Sequence, residues 1–202
     1  MRVKELSPFS NLRTWQLLKV IVKTNDDLRQ EAFAMQLISS MDQIFRQAKC
    51  SLWLKPYEII ATGPNCGLIE VVSDALSVSS IKEKSGQNST IVNYFRDQFG
   101  KPDGKKYRKA IDNFTNSLAA YSLVCYIVQI KDRHNENILI DIEGHLLHID
   151  FGFLLSNAPG KGLQFETAPF KLTQEMLDVM GGPNSDKFRG FRRRMAQGFL
   201  AI

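Results

Sequence analysis

Cysteine is scarce in this chain and forms no recognisable metal-binding pattern. Its 202 residues include only Cys50, Cys66 and Cys125, and their spacing matches no metal-ligand motif. An odd number of cysteines without such spacing predicts free, buried thiols in a reducing compartment.

Long hydrophobic runs are also missing. The longest apolar stretch, residues 118–130, is interrupted by Tyr121, Ser122, Tyr126 and Gln129, and it is too short to span a bilayer. The polar N-terminus lacks the central apolar run of a signal peptide. We therefore expect a cytoplasmic protein that would meet a membrane from its cytoplasmic side. The chain stops within an apolar helical pattern, so we expect a truncated C-terminus.

No strong excess of one charge is present. The 26 Lys and Arg residues outnumber 21 Asp and Glu residues, which gives a net charge of +5. This balance fits an anionic partner such as a membrane surface, a nucleotide or a nucleic acid without choosing among them. A basic run at residues 187–194 is either a membrane-facing patch or an ordinary solvated helix face.

The hydrophobic pattern predicts a small sheet with one helix in the first part of the chain. Residues 17–22 are β-branched and apolar, and they predict a strand that ends at Lys23. A helix is expected at residues 28–48, and its apolar stripe would consist of Phe33, Leu37, Met41 and Ile44. Shorter strands are predicted at residues 52–54, 58–62 and 68–72.

The second part of the chain predicts helices around one hairpin. We expect a loop at residues 79–90 and a short helix at residues 91–99. A long helix follows, because apolar residues from Tyr107 to Val128 recur in steps of three and four; a coiled coil is the alternative. A hairpin turning at Gly144 is expected next. A loop at residues 151–170 precedes helices at residues 172–180 and from residue 185.

Residues 131–152 carry the clearest functional signal. They place Asp132, His134 and Asn137 one hairpin before Asp150. Asp132 would orient an attacking hydroxyl or accept its proton, while the oxygens of Asn137 and Asp150 suit a magnesium ion. Phosphoryl transfer depends mainly on such positioning and charge screening, so the segment predicts a kinase. Asp150-Phe151-Gly152 alone would be a weak signal, since it also fits a strand end followed by a turn.

These motifs resemble those of the phosphatidylinositol 3- and 4-kinase superfamily. Asp-Arg-His-Asn-Glu-Asn at residues 132–137 and His-Ile-Asp-Phe-Gly at residues 148–152 are similar to its catalytic blocks, whereas protein kinases carry His-Arg-Asp. Val-Lys-Thr-Asn-Asp-Asp-Leu-Arg-Gln-Glu at residues 22–31 resembles a second block of that superfamily. Asn25 replaces its usual glycine, and asparagine tolerates the left-handed backbone that such a turn needs.

The resemblance implies an α+β, two-lobed protein-kinase-like fold. Residues 1–70 would form a partial N-lobe of sheet plus helix. Residues 71–202 would form a truncated, mainly helical C-lobe that contains the catalytic hairpin. The hinge would lie at about residues 70–73, with ATP bound between the lobes.

The resemblance also assigns roles in nucleotide binding. Lys23 would contact the phosphates, and Asp26 or Glu31 would steady it. The implied adenine site uses the hinge backbone and apolar side chains, with an ordinary core position as the alternative for the apolar ones: Tyr57, Ile69, Glu70, Val71, Val72 and Ile149.

The catalytic group implied by the resemblance is Asp132, His134, Asn137 and Asp150. Asn137 and Asp150 would be the metal ligands, with Mg²⁺, or Mn²⁺ in its place, as the cofactor beside ATP. His134 would shuttle a proton or contact the γ-phosphate. We expect His148 to anchor the hairpin through a backbone hydrogen bond and His145 to be exposed in its turn.

In this superfamily the loop at residues 151–172 selects the substrate. Here its only cations are Lys161 and Lys171, and a headgroup with several phosphates would need more. Residues 165–173 and 178–182 are similar to type III beta 4-kinases. We therefore expect transfer to the 4-hydroxyl of phosphatidylinositol at a cytoplasmic membrane surface, with Golgi localisation, protein regulators and no nucleic-acid partner.

Three alternatives remain open: a phosphatidylinositol 3-kinase, a related serine/threonine protein kinase, and an inactive kinase-like binding module. The last is raised by the missing Gly-x-Gly-x-x-Gly pattern. Ser10 also stands where the type III beta enzymes have glycine in a Ser-Pro-Tyr-Gly loop. Intact Lys23, Asp132, Asn137 and Asp150 argue against an inactive module.

Overall fold

The structure, a computed structural model, describes residues 2–84, 90–155 and 167–202. Its helices and strands follow in chain order: α1 (Arg2–Glu5), β1 (Val20–Thr24), α2 (Arg29–Gln47), β2 (Ile59–Gly63), β3 (Cys66–Glu70), β4 (Ala75–Ser77), α3 (Val78–Lys84), α4 (Ile91–Phe99), α5 (Lys105–Val128), β5 (Ile138–Asp141), β6 (Leu146–His148), α6 (Gln174–Val179) and α7 (Asp186–Ala201). This content confirms the α+β class.

The first sheet is antiparallel, with strand order β1-β3-β2. Ile69 of the central strand pairs with Ile21 on one side and Ile59 on the other. A side chain at Gly67 would collide with the carbonyl oxygen of Ile60 and with Leu28. Glycine at this position therefore permits close packing of the β2–β3 hairpin beside the start of α2.

Helix α2 packs on this sheet through a stripe that shares only Met41 with the predicted one. Ala34, Ile38, Met41 and Phe45 are buried, whereas Phe33 is 47% exposed. Leu37 and Ile44 are only partly buried. The observed stripe follows the same helical period as the predicted one but is offset around the helix. The spacing of apolar residues also fits the neighbouring stripe, and packing against the sheet selects that stripe.

The second sheet has the order β4-β5-β6, and its hairpin lies against α5. The turn passes through Gly144, whose φ of 88° and contact with Ala110 leave no room for a side chain. Helix α5 is buried along most of its length and packs against α4, α7 and β6. It is therefore the central core helix and not half of a coiled coil.

Two of the predicted elements are wrong. Residues 52–54 form no strand, although Leu52 and Leu54 are buried. Residues 78–84 form helix α3 in place of the expected loop, because Val78 and Ile81, three residues apart, anchor one helical face in the core. The remainder of the expected loop up to residue 89 lies outside the described residues.

All three cysteines are free, as predicted, but only Cys125 is fully buried, and Cys50 and Cys66 are half-buried. Within the described ranges, no helix has the length and apolar character needed to cross a membrane.

Gly198 is a sensitive point in the packing of α7. A Cβ atom there would lie 2.5 Å from Leu123 of α5 and would overlap Leu52. We expect Gly198→Ala to lower the free energy of unfolding by about 1–3 kcal/mol through overpacking, as measured by urea denaturation.

Gly190 in the same helix provides the matched control. A Cβ atom there would meet only the flexible end of Arg194. Gly190→Ala should therefore be neutral or stabilise the protein by up to about 1 kcal/mol, because alanine favours a helix more than glycine does. Equal destabilisation by both substitutions would contradict the packing explanation.

Candidate active site

A cleft of about 320 Å³ lies between the two sheets. It receives side chains from β1, α2, the segment after β3, and both ends of the β5–β6 hairpin. Its lining residues are Ile21, Lys23, Glu31, Tyr57, Ile69, Glu70, Val71, Val72, Asn137, Leu139, Ile149 and Asp150. The cleft therefore brings together residues that two distant sequence motifs singled out.

Two apolar lining residues, Ile21 and Leu139, were not predicted. Ile21 lies two residues before Lys23 in β1, so both side chains point to the same face of the strand. Strand alternation could therefore have identified Ile21. Leu139 reaches the cleft because of where the hairpin lies relative to the first sheet. The sequence pattern does not show that position.

Lys23 is held at the cleft by Asp26. Its Nζ atom donates a 3.0 Å hydrogen bond to Asp26 Oδ2 within the turn after β1. Partial burial opposes the charge of Lys23, but this hydrogen bond and the charges of Glu31, Asp26 and Asp150 raise its pKa. Asn25, in the same turn, has a φ of 60°, which confirms the left-handed backbone expected there. The turn thus presents a permanent positive charge.

Glu31 has a different partner. It is 6% exposed, and it accepts a 2.8 Å hydrogen bond from the hydroxyl of Tyr57 and another from the backbone N–H of Phe151. Burial, joined by the nearby charge of Asp150, raises the pKa of Glu31. Of the two candidates for steadying Lys23, Asp26 makes the direct contact, whereas Glu31 connects α2 to the segment after the hairpin.

The expected hinge lies along one edge of the cleft, but part of its backbone is already hydrogen-bonded. The Glu70 N–H donates to Glu58 O, and the Val71 N–H donates to Lys19 O, both at 2.9 Å. Within the described part of the chain, the N–H of Val72 has no such bond. Val72 is therefore the position whose amide can serve a ligand.

Asn137 organises the loop that contains Asp132 and His134. Its Nδ2 atom donates to the backbone carbonyl of Asp132 and lies 3.0 Å from His134 Nε2. Because the amide nitrogen faces the loop, the amide oxygen lies on the other side of the group. His134 Nε2 is also 3.8 Å from Asp132 Oδ2. Asp132 and His134 do not line the cleft themselves, but Asn137 joins them to it.

Arg133 is the main site residue that the sequence did not reveal. It is 2% exposed, and its guanidinium donates to three backbone carbonyls, those of Lys131 at 3.0 Å, Ile149 at 2.8 Å and Asp150. It also lies 5.3 Å from the centre of the Phe151 ring. The loop before the hairpin and the segment after it are thereby held together.

Gln30 makes a second such connection. Its Nε2 atom donates a 2.7 Å hydrogen bond to the carbonyl of Gly152. Both Gln30 and Arg133 bind backbone carbonyls, which are present at every residue. The partners of these two side chains therefore cannot be predicted from residue types in the sequence.

Asp132 and Asp150 share an uncommon backbone conformation. Their φ angles are 63° and 59°, in the left-handed region that few residues other than glycine adopt. Such positions persist where surrounding contacts over-determine them, and they cluster at functional sites. The contacts here are those of Asn137 to the Asp132 carbonyl and of Arg133 to the Asp150 carbonyl.

His145 contradicts the expectation of an exposed turn residue. It is 7% exposed, lies 3.0 Å from Asp141 Oδ2 and stacks on Trp53 with ring centres 3.9 Å apart. Burial opposes ionisation of Asp141, but hydrogen bonds from His145 hold the pKa of Asp141 below its usual value. The acidic partner and the flat indole together allow this histidine to be buried.

His148 is also buried, behind the cleft. Its ring stacks on Tyr121, and its Nδ1 atom lies 3.5 Å from the sulfur of Cys125. Burial, with a contribution from the charge of Arg133, lowers its pKa well below the usual value. His148 is therefore a neutral core residue whose ring packs against α5.

The two predicted substrate lysines lie away from the cleft or outside the described residues. Lys161 belongs to the segment that is not described. Lys171 is half-buried and lines a second cavity between α3, α6 and the loop at residues 132–137, the catalytic loop implied by the resemblance.

The cleft offers oxygen ligands to a hard cation. No group of three or more His, Cys, Asp or Glu side chains that could hold a metal occurs in residues 2–84, 90–155 and 167–202. Asp150 and Asn137 nevertheless supply two oxygens to one cleft. Proteins usually hold a magnesium ion with one or two such groups, and nucleotide phosphates and water complete its ligands. The pair Asn137 and Asp150 therefore fits this cation.

Comparison with known proteins agrees with this geometry. A family model described as phosphatidylinositol 3- and 4-kinase matches residues 17–202. The chain is 50% identical over 199 residues, 98% of its length, to a phosphatidylinositol 4-kinase of Dictyostelium discoideum, of which it covers 17%. It is 45% identical over its whole length to phosphatidylinositol 4-kinase PIK1 of Saccharomyces cerevisiae, of which the matching part is 20%.

A third relative is phosphatidylinositol 4-kinase beta of Rattus norvegicus, at 46% identity over 99% of this chain and 24% of the relative. The chain thus spans about a fifth of the length of these curated relatives. With a family model that covers nearly all of its residues, the chain belongs to the phosphatidylinositol 3- and 4-kinase family.

Proposed function

We propose that this protein transfers the γ-phosphoryl group of ATP to the 4-hydroxyl of phosphatidylinositol and so forms phosphatidylinositol 4-phosphate. The observation that carries the proposal is the cleft, in which Lys23 faces Asn137 and Asp150 and which the Asp132–His134 loop adjoins. The three relatives named above are all phosphatidylinositol 4-kinases, which supports this lipid and this hydroxyl over the alternatives.

In this proposal the cleft separates two lobes. Residues 1–70 form the N-lobe, residues 71–202 form the C-lobe, and residues 70–73 are the hinge. The first sheet and α2 belong to the N-lobe, while the second sheet and the remaining helices belong to the C-lobe. The division is supported by the position of Glu70, Val71 and Val72 at the edge of the cleft.

The adenine ring is proposed to lie between apolar side chains beside the hinge. Ile21 and Ile69 would cover one face, and Ile149 and Leu139 the other. The amide of Val72 would donate to a ring nitrogen, since the amides of Glu70 and Val71 already donate to backbone carbonyls. Tyr57 lies deeper, where its hydroxyl is bonded to Glu31, so we assign it to support of the cleft.

The phosphates are proposed to lie between Lys23 and the pair Asn137 and Asp150. Lys23, held by Asp26, would bind the phosphate oxygens with its permanent charge. Asn137 and Asp150 would hold Mg²⁺, or Mn²⁺ in its place, which supplies neutralisation of the developing phosphate charge. Arg133 positions this half of the site by fixing the carbonyl of Asp150 relative to the loop of Asp132.

Asp132 is proposed to orient the acceptor hydroxyl and to accept its proton. His134 lies within 3.8 Å of the Asp132 carboxylate and contacts Asn137. It would relay the proton or contact the transferred group. The left-handed conformation of Asp132 is held by the hydrogen bond from Asn137 to its carbonyl, and phosphoryl transfer depends on such positioning.

The acceptor is proposed to be plain phosphatidylinositol in a membrane. Lys161 and Lys171 are the cations of the substrate loop, too few for a headgroup with several phosphates. The protein would act as a peripheral enzyme at a cytoplasmic membrane surface, with Golgi membranes as the expected location and with protein regulators that bind elsewhere in the full-length protein.

The function is tested by supplying ATP labelled at the γ-phosphate together with phosphatidylinositol vesicles or with a serine-containing peptide. We expect label in the lipid, at the 4-position of the ring. Label at the 3-position would indicate a 3-kinase, and label in the peptide alone would indicate a protein kinase. Failure of the full-length protein to bind ATP would indicate a binding module.

Asp150→Asn tests the proposed metal ligand. Asparagine tolerates the left-handed backbone at this position but lacks the charge, so we expect the turnover number to fall by about 1000-fold or more, equivalent to about 4 kcal/mol of transition-state stabilisation. The assay is lipid phosphorylation by the full-length protein at saturating ATP and Mg²⁺.

Asp74 supplies a matched control for that substitution. It is exposed, lies outside the cleft and has the same φ of 59°. Asp74→Asn should leave turnover unchanged. Near-normal turnover of the Asp150→Asn protein would overturn the metal assignment.

Arg133→Lys tests the positioning role of the buried guanidinium. An ammonium group keeps the charge but cannot reach three carbonyls in the geometry of a planar fork. We expect a loss of about 3 kcal/mol in the free energy of unfolding, from broken charge-assisted hydrogen bonds. Well below the unfolding temperature, the turnover number should fall more than the KM for ATP rises.

The exposed Arg96, at the end of α4, provides the control. Arg96→Lys should change neither stability nor turnover. If Arg133→Lys lowered stability while the remaining folded protein kept normal turnover, Arg133 would be structural only.

A further inference from the structure

A second cavity, of about 310 Å³, lies beside the catalytic loop and between α3 and α6. Its polar lining consists of Lys82, Asn135, Lys171, Thr173, Gln174 and Glu175. We call this cavity the acceptor pocket.

The acceptor pocket is tied to the catalytic loop through Asn135. This residue follows His134 directly, and its carbonyl accepts a 3.1 Å hydrogen bond from the backbone N–H of Ser79 in α3. A ligand in the pocket would therefore be held at a fixed position relative to Asp132, three residues earlier. An acceptor headgroup needs this relation to the catalytic aspartate.

Glu175 gives the pocket its chemical preference. Its Oε1 atom accepts a 2.6 Å hydrogen bond from Lys82. Its Oε2 atom is buried and has no hydrogen-bond partner within residues 2–84, 90–155 and 167–202. A buried carboxylate oxygen without a donor is costly, and a hydroxyl group of a ligand is the kind of donor that it lacks.

The charges of the pocket limit the ligand further. The positive charges of Lys82 and Lys171 exceed the negative charge of Glu175 by one. A polyphosphate would be repelled by Glu175, and a cationic peptide side chain would be repelled by both lysines. A group with several hydroxyls and a single negative charge satisfies both sets of charges.

The floor of the pocket is apolar. Val78, Ile91 and Met176 line it, and each is at most 2% exposed. The C–H groups of a saturated ring would pack on these apolar side chains. Hydroxyl groups at the edge of the ring would reach the polar side chains of the pocket. The pocket therefore combines features that suit a cyclic polyol.

We propose that the acceptor pocket binds the phosphoinositol head of the lipid substrate. Glu175 accepts hydrogen bonds from ring hydroxyls, and Lys171 binds the phosphodiester. The proposal rests on the function proposed above and adds a recognition site formed by α3 and α6, away from the nucleotide cleft. Such a site would also favour a singly charged headgroup over one with several phosphates.

The test measures three constants on the full-length protein: the KM for phosphatidylinositol in detergent mixed micelles, the KM for ATP, and the rate of lipid-independent ATP hydrolysis. We expect Glu175→Gln and Lys171→Met each to raise the KM for the lipid by about tenfold. The KM for ATP and the rate of ATP hydrolysis should stay unchanged, because the nucleotide cleft is intact.

Glu83→Gln and Lys84→Met are the matched controls. Both residues lie in α3 and are exposed, and these substitutions should leave all three constants unchanged. If Glu175→Gln lowered the unfolding temperature without changing the KM for the lipid, the Lys82–Glu175 pair would be structural only and the proposal would be overturned.

Soluble probes identify the part of the headgroup that is recognised. Glycerophosphoinositol, a soluble phosphodiester with a single negative charge, should compete with the lipid in the wild-type protein and about tenfold more weakly in the Glu175→Gln protein. Equal competition by inorganic phosphate would assign the pocket to phosphate alone and overturn the proposal. A wild-type protein that phosphorylates no lipid would refute the proposed function itself, whereas an active protein with unaffected variants would refute only the acceptor pocket.

Discussion

The geometry of the site depends on the buried side chain of Arg133. It binds carbonyls on both sides of the β5–β6 hairpin, so the loop of Asp132 and the segment of Asp150 have a fixed separation. Both aspartates adopt left-handed backbone, which costs free energy at each position. The guanidinium offsets part of this cost, because charge-assisted hydrogen bonds to buried carbonyls are stronger than neutral ones. The three carbonyl hydrogen bonds also explain how this cation can be buried, since no Asp or Glu in residues 2–84, 90–155 and 167–202 forms an ion pair with it.

A second group of contacts extends this arrangement across the cleft to α2. Glu31 accepts hydrogen bonds from Tyr57 and from the backbone of Phe151, and Gln30 donates to Gly152. Adjacent residues of one helix thus hold the segment after Asp150. Lys23 remains with Asp26, so its charge is available to the cleft while Glu31 is occupied elsewhere. Gln30 and Glu31 thus support the backbone after Asp150, while Lys23 and Asp26 place a positive charge at the cleft.

The residues that are proposed to contact a ligand were largely predictable from the sequence, and so was Asp26, which holds Lys23. Arg133 and Gln30, which position the segment around Asp150, were not. Lys23, Asn137 and Asp150 lie in distinctive motifs and line one cleft. Arg133 and Gln30 bind backbone carbonyls, which no residue pattern marks. The same limit explains the errors in the fold. The offset stripe of α2 and the helix at Val78 depend on which apolar face meets the sheets, and the burial of His145 depends on Trp53, distant in sequence. Periodicity predicts that a face is apolar, but tertiary packing decides which face is buried.

The two cavities differ in a way that matches the two reactants of a kinase. Half of the residues that line the cleft are isoleucine, leucine or valine, as suits a flat aromatic base, and Lys23 and Asp150 add the charges that phosphates and a cation need. The acceptor pocket has charged and amide groups around its rim and an apolar floor, as suits a saturated ring that bears hydroxyls. The catalytic loop lies between them, since Asn137 lines the first and Asn135 lines the second. If both cavities bind as proposed, residues two positions apart on one loop would contact separate ligands, and this would bring the reacting groups together near Asp132.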